Sequence, residues 1–176
     1  MITLKEEVKI DVPFEKLLKW VDKFETEFVK WSPYHLECKL IDGGLEVGNR
    51  VQFHEIVMGI DYNITGSIIV SKRTKDDFKF EFLSDAKTAV ISFEGRRTIN
   101  GCHFSHTEAF GSRTPIIGGI LNFLIFKVIY KKKANFKLIR DDMKLDNIYL
   151  TNILTKNEYP KRIPVEDLKN NCTLDK

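Results

Sequence analysis

The amino-acid sequence predicts an α+β domain in which a curved antiparallel sheet wraps around one long C-terminal helix. Three observations carry this. From Leu36 to Phe110 the chain reads as strand after strand, joined by short turns. Helical patterns gather at the two ends of that run. The last of them, from Pro115 to Leu154, is long and has an apolar stripe. Runs of strands with helices collected at the ends pack as an antiparallel sheet with the helices on one face. A strongly curved sheet around one helix leaves an enclosed space between them, a natural place for a small molecule.

The elements follow in order. Thr3 to Val12 carries β-branched residues near alternation and reads as a first strand. Pro13 then opens a short helix, Phe14 to Phe24, with Phe14, Leu17, Leu18 and Val21 on one face. Glu25 to Lys30 is a second helical piece or a loop. Pro33 ends it and places His35 in a turn before the next strand. Six strands are expected after that: Leu36 to Ile41, Val51 to Met58, Tyr62 to Ser71, Asp77 to Leu83, Thr88 to Thr98, and Cys102 to Phe110. Asn100-Gly101 marks a hairpin. Thr155 to Lys176 is polar, holds Pro160 and Pro164, and reads as a surface tail. The division expected is thus one domain over residues 1–155 and a tail over 156–176.

Bulk properties exclude several classes of function. A chain of 176 residues can bury a full core. Its net charge of +3 is small, and acids are interleaved with bases, so there is no footprint for nucleic acid. Cys38, Cys102 and Cys172 are too few and scattered for a disulfide framework or a CxxC zinc site, and suit a reducing cytoplasm. The apolar run from Pro115 to Ile129, broken by Lys127, is shorter than the roughly 20 residues a bilayer span needs. No glycine-rich phosphate loop, nucleophile elbow or HExxH motif is present.

The chemistry points to the long helix. At about 100° per residue, Ile117, Ile120, Leu121, Leu124, Val128, Leu138, Ile139, Leu145 and Ile153 share a sector of about 120°. Asp142 and Asp146 fall inside that sector, whereas Lys132, Lys133, Lys137, Arg140 and Lys144 point elsewhere. A buried carboxylate is paired, protonated or bound to a metal, and an i, i+4 acid pair can offer two ligands. The other reading is a helix rotated slightly, so that the pair meets water or caps a loop. In the strand from Val51 to Met58, alternation puts Val51, Phe53, Glu55 and Val57 on one side. Glu55 therefore either enters the cavity or is a solvated strand glutamate. His106 shares a side with Phe104, Glu108 and Phe110, so His106 and Glu108 form a second polar pair.

Several stretches resemble a known family. They are Trp31-Ser32-Pro33-Tyr34-His35, Leu45-Glu46-Val47-Gly48, Phe53 to Gly59, Asn100 to Phe104, and Asp142 to Leu150. With the order of elements they resemble the START-like, or SRPBCC, superfamily of polyketide cyclases and birch-pollen-allergen-like proteins. Within it the likeness is to the diacetylphloroglucinol hydrolase branch. The resemblance implies the helix-grip fold. It also implies a zinc ion held by a histidine before the second strand, a glutamate on the next, and a histidine and glutamate one turn apart on the long helix. Residue by residue these become His35, Glu55, Asp142 and Asp146. The helix histidine is an aspartate here, and the glutamate is the shorter Asp146. One nitrogen and three carboxylates shift preference from zinc toward manganese or iron, or magnesium or calcium, although zinc also accepts carboxylate oxygen.

Two functions are expected from this. The first is binding of a small, largely apolar, aromatic or polyketide-like molecule in the cavity, with metal-dependent hydrolysis of a C–C bond next to a carbonyl as its sharpest form. His54, His106 and Tyr149 are the candidate acid/base groups. The second is a non-catalytic module that binds or carries a lipid or other hydrophobic ligand. The partners expected are a small hydrophobic molecule, no nucleic acid and no stable membrane insertion, with the chain a monomer or homodimer.

Overall fold

The computed structural model describes residues 2–57, 60–111 and 136–170. One sheet of seven antiparallel strands dominates it, in the spatial order β1-β7-β6-β5-β4-β3-β2. The strands are β1 (Ile2–Ile10), β2 (His35–Leu40), β3 (Arg50–Val57), β4 (Ile60–Arg73), β5 (Asp77–Ser84), β6 (Ala89–Thr98) and β7 (Gly101–Phe110). Two short helices, α1 (Phe14–Val21) and α2 (Phe24–Trp31), follow β1. The long helix is described as α3 (Phe136–Lys156), and a last short helix is α4 (Val165–Asn170). This is the helix-grip arrangement. Every strand is antiparallel to its neighbours, and the α1–α2 crossover carries the chain from β1 at one edge to β2 at the other.

The inner face of the sheet is aromatic. Alternation on β5 sends Phe78, Phe80 and Phe82 inward, where Phe53, Phe93 and Phe104 meet them from β3, β6 and β7. Phe14, Trp20, Phe24, Phe28 and Trp31 close this core from α1 and α2. Phe24 contacts Phe80, Phe93 and Phe53 with ring centroids 4.9, 5.4 and 6.3 Å apart, all edge to face, the geometry the ring quadrupoles favour. Gly95 is needed in this layer. A Cβ there would stand 2.2 Å from the Phe78 ring.

The structure refines several expectations. α2 is a full helix, so Glu25 to Lys30 is not a loop, and α1 stops at Val21 instead of reaching Phe24. His35 is the first residue of β2. Residues 112–135 fall outside the described part, and with them the expected helix from Pro115 and its stripe from Ile117 to Val128. The face of α3 that is buried consists of Met143, Asp146, Asn147, Leu150, Ile153 and Leu154. That arc is rotated from the expected one. Leu138 is 36% exposed and Leu145 only half-buried, whereas Asp146 lies well inside. No helix among the described residues is long and apolar enough to cross a membrane.

The chain after α3 is not a free polar tail. Asn157 takes a left-handed conformation, φ 57°, which Asn tolerates better than most residues, and the chain turns back. Leu168 in α4 is buried at 2% exposure, and Tyr159 Oη donates a 2.8 Å hydrogen bond to Glu27 Oε2 on α2. The polarity of this segment hides a single apolar anchor.

One buried bond ties α2 to α3. The Trp31 indole N–H donates to the Asp146 carbonyl at 2.7 Å, with Trp31 fully buried. Trp31→Phe keeps most of the packing but leaves that carbonyl without its donor and a void beside it. A loss of roughly 2–4 kcal/mol is expected in urea unfolding, with the m-value unchanged. A loss below about 0.5 kcal/mol would show that the bond does not hold the helix in place.

Candidate functional site

The site starts from register. β2 and β3 pair so that His35 lies directly opposite Glu55, and the register then shifts between His35 and Glu37. Cross-strand partners share a face, so both side chains enter the same space. Alternation places Glu55 on the inner side, and it is there. His54, one residue away, is on the outer face with its Nε2 2.8 Å from Asp61 Oδ1, so it takes no part in the site. From α3, Asp142 and Asp146 face the same space one turn apart. From β7 come His106 and Glu108, and Phe28, Phe53, Ile91 and Phe93 complete the lining. The enclosed volume is about 10 Å³. That is room for one water molecule or one ion, not for an aromatic ring.

His35 is held tightly. Its Nδ1–H donates to the Phe28 carbonyl at 2.8 Å, and its ring stacks on Phe28 with centroids 4.0 Å apart. That fixes the ring and leaves Nε2 facing the acids. Nε2 is 3.5 Å from Glu55 Oε2 and 3.6 Å from Asp146 Oδ2. Both are long for a hydrogen bond. They match the separation of about 3.4 Å between two ligands of a tetrahedral ion with bonds of about 2.1 Å. The other oxygen of Asp146, Oδ1, is buried without a hydrogen-bond partner. Among the described residues, however, no group of three or more His, Cys, Asp or Glu side chains is arranged as it stands to hold a metal ion.

The charges in this space are strongly coupled. Burial, the largest single influence, would lower the His35 pKa, but the charge and hydrogen bond of Asp146, the charge of Glu55 and the Phe28 carbonyl together outweigh it and raise it to about 9. Burial raises Glu55 to about 7, against the pull of His35. Asp142 is pushed well above the usual carboxylate range, by burial first and then by Asp146. Without another cation, protons on these groups keep the cluster near neutrality.

His106 forms the second polar pair with Glu108. Its Nε2 is 3.2 Å from Glu108 Oε1, yet neither ring nitrogen has a hydrogen-bond partner and the residue is only 4% exposed. Phe93 stacks on this ring at 4.6 Å and Trp31 flanks it at 5.9 Å. Tyr149 is half-buried beside Tyr34. Burial raises the pKa of both hydroxyls, and Asp142 and Asp146 add to the shift. Three contributors are not foreseen from the sequence: Tyr34, the indole N–H of Trp31, and Arg162. The position of Tyr34 beside His35 is the only signal available for any of them.

No family model matches the sequence, and no curated protein matches it. Solved structures do. KanY aligns with a TM-score of 0.62 at 10% identity, covering 87% of this chain and 97% of KanY. TTHA0849 from Thermus thermophilus aligns with a TM-score of 0.60 at 14% identity, over 89% and 99% of the two chains. The Polyketide_cyc-like protein Cgl2372 from Corynebacterium glutamicum aligns with a TM-score of 0.51 at 15% identity, over 90% and 97%. The chain has the fold of these proteins. At such identities the likeness speaks for the helix-grip fold and for nothing about chemistry.

The coupled cluster sets the pH dependence of the metal-free protein. His35 has a folded pKa raised from 6.5 to about 9, so its contribution is complete below pH 6.5 and lost as pH rises through 9. Glu55, raised from 4.5 to about 7, has the same sign and is lost as pH rises through 7. Unfolding free energy measured in chelator is therefore expected to fall between pH 6.5 and 9, and to fall less in Asp146→Asn. A wild-type profile that is flat or rising over that window would contradict this electrostatic picture.

Proposed function

We propose that this domain holds a divalent cation in this pocket and acts through it on a small, largely apolar, carbonyl-bearing molecule that reaches the ion as the pocket widens. His35, Glu55, Asp142 and Asp146 would be the ligands. The observation that carries this reading is the anchored His35 imidazole. Its Nδ1 is committed to a backbone carbonyl, and its Nε2 faces two carboxylate oxygens at ligand-edge distances around a space of ion size. A donor set of one nitrogen and three carboxylates suits manganese, iron or zinc. Bound there, such an ion supplies Lewis acidity toward a carbonyl oxygen.

The remaining residues have roles that follow from their places. Phe28, Phe53, Ile91 and Phe93 exclude water and lower the local dielectric, which strengthens each charge interaction. His106 is the acid/base group of choice, because it alone of the three candidates is buried in the pocket wall with both ring nitrogens unpartnered. The sharpest form of the proposal is hydrolysis of an acyl–carbon bond. Water adds to the carbonyl and gives a proton to His106, the C–C bond breaks with its electron pair leaving on the carbon fragment, and His106 passes that proton to the carbon. The acyl fragment leaves as a carboxylic acid.

A second reading keeps the cavity but not the chemistry: a carrier of a hydrophobic ligand. The apolar lining residues Phe28, Phe53, Ile91 and Phe93 favour it, although such a ligand needs the pocket to widen.

Metal content by plasma mass spectrometry, on protein purified without a metal-affinity tag, separates the two. Near-stoichiometric manganese, iron or zinc is expected in the native chain, and less than about a tenth of that in Asp142→Asn/Asp146→Asn. Acylated phenols would then be screened for C–C hydrolysis. Absence of metal in the native chain, even after incubation with manganese(II), iron(II) and zinc(II), would remove the metal reading and leave the carrier.

A further inference from the structure

Behind His35, on the side away from the pocket, lies a bonding pattern that the site chemistry does not use. The segment after α3 runs back across the end of α2, stiffened by Pro160 and Pro164. Arg162 Nη1 shares its two hydrogens among three backbone carbonyls there: Val29 at 2.8 Å, Ser32 at 2.9 Å and His35 at 2.8 Å. Two of these belong to the C-terminal end of α2 and the residue after it, where helical carbonyls lack intrahelical partners and a cation is favoured. The third is the carbonyl of His35 itself, at the point where the β2–β3 register shifts. The segment is pinned further by Tyr159 on Glu27 and by the buried Leu168.

We infer that Arg162 is a positioning residue for the His35 site, and that it sets the imidazole from behind through the loop carbonyls it holds. The ring is fixed at its Nδ1 by Phe28, but its Cα is fixed through the carbonyl that Arg162 holds. The same guanidinium nitrogen clamps both ends of the loop between α2 and β2. A shift of that loop moves Nε2 directly against Glu55 and Asp146. Ion affinity thus depends on a residue that touches no ligand side chain. For affinity the inference rests on the metal reading above; for the placement of His35 it does not.

The test uses the full chain in four forms: wild type, Arg162→Ala, Arg162→Lys and Tyr159→Phe. Manganese(II) and zinc(II) affinities are measured by titration calorimetry, and the His35 ring nitrogen signals by NMR at one fixed pH in chelator. Arg162→Ala is expected to lose about 10- to 100-fold in affinity, the usual effect of removing support behind a ligand. Its His35 ring signals should shift. Tyr159→Phe removes the outer bond to Glu27 but leaves the Arg162 contacts in place, and should stay within about 3-fold, with the ring signals unmoved. A lysine ammonium can donate three bonds but ends one bond short of Nη1, so Arg162→Lys should fall between. Wild-type affinity together with unmoved ring signals in Arg162→Ala would overturn the inference. If that variant does not fold, Arg162→Lys is judged by the same two readouts. If the wild type binds neither ion, the metal reading fails, and the ring signals alone decide the role of Arg162: shifted supports it, unshifted overturns it.

Discussion

Everything about this site depends on the cost of gathering carboxylates where little water reaches them. Glu55, Glu108, Asp142 and Asp146 line one space with two imidazoles. Carboxylates at such distances cannot all ionise without a cation among them. In the metal-free protein, protons take that place, which is why His35, Glu55 and Asp142 all hold theirs to unusually high pH. A metal ion would release those protons, so binding and proton loss are two descriptions of one equilibrium. The arrangement is costly as a structural device, since apolar side chains of the same volume would fill the space more cheaply.

The helix α2 does more than cover the core. Its Phe28 stacks on His35 and accepts its Nδ1–H, its Trp31 indole holds the Asp146 backbone, and its last carbonyls are met by Arg162. Both the β2 and the α3 sides of the site are therefore referenced to the same two turns of helix. The aromatic density of that helix stabilises the core and also keeps the polar cluster dry, where each charge acts more strongly. Packing and site geometry are one constraint here.

Much of this is legible in the sequence. The strands announce themselves because alternation and turn residues are local signals, and alternation on β3 alone separates Glu55 from His54. Asp146 stands out because helical periodicity puts it among apolar residues. What is not legible is whatever depends on long-range contact. The true buried arc of α3 is rotated toward Met143 and Leu150, because it is set by what α3 packs on, not by its own composition. The Trp31 bond to a backbone carbonyl and the Arg162 clamp on three more leave no mark in composition, since a carbonyl is the same at every residue. The segment after α3 reads as a tail because one buried leucine does not make a pattern. The resemblance to a zinc-binding family brings His35 and Asp142 together with the other two before any distance is known, while the ligand and any catalytic step lie beyond what fold likeness conveys.

The proposed ion site lies between His35, Glu55, Asp142 and Asp146. Diffraction from crystals equilibrated with manganese(II) or zinc(II), with data collected on both sides of the metal's absorption edge, tests it most directly. One strong anomalous peak is expected about 2.0–2.2 Å from His35 Nε2 and from an oxygen of each of the three acids. A clean map with no peak there, or a peak only on the outer face of the sheet, would contradict it.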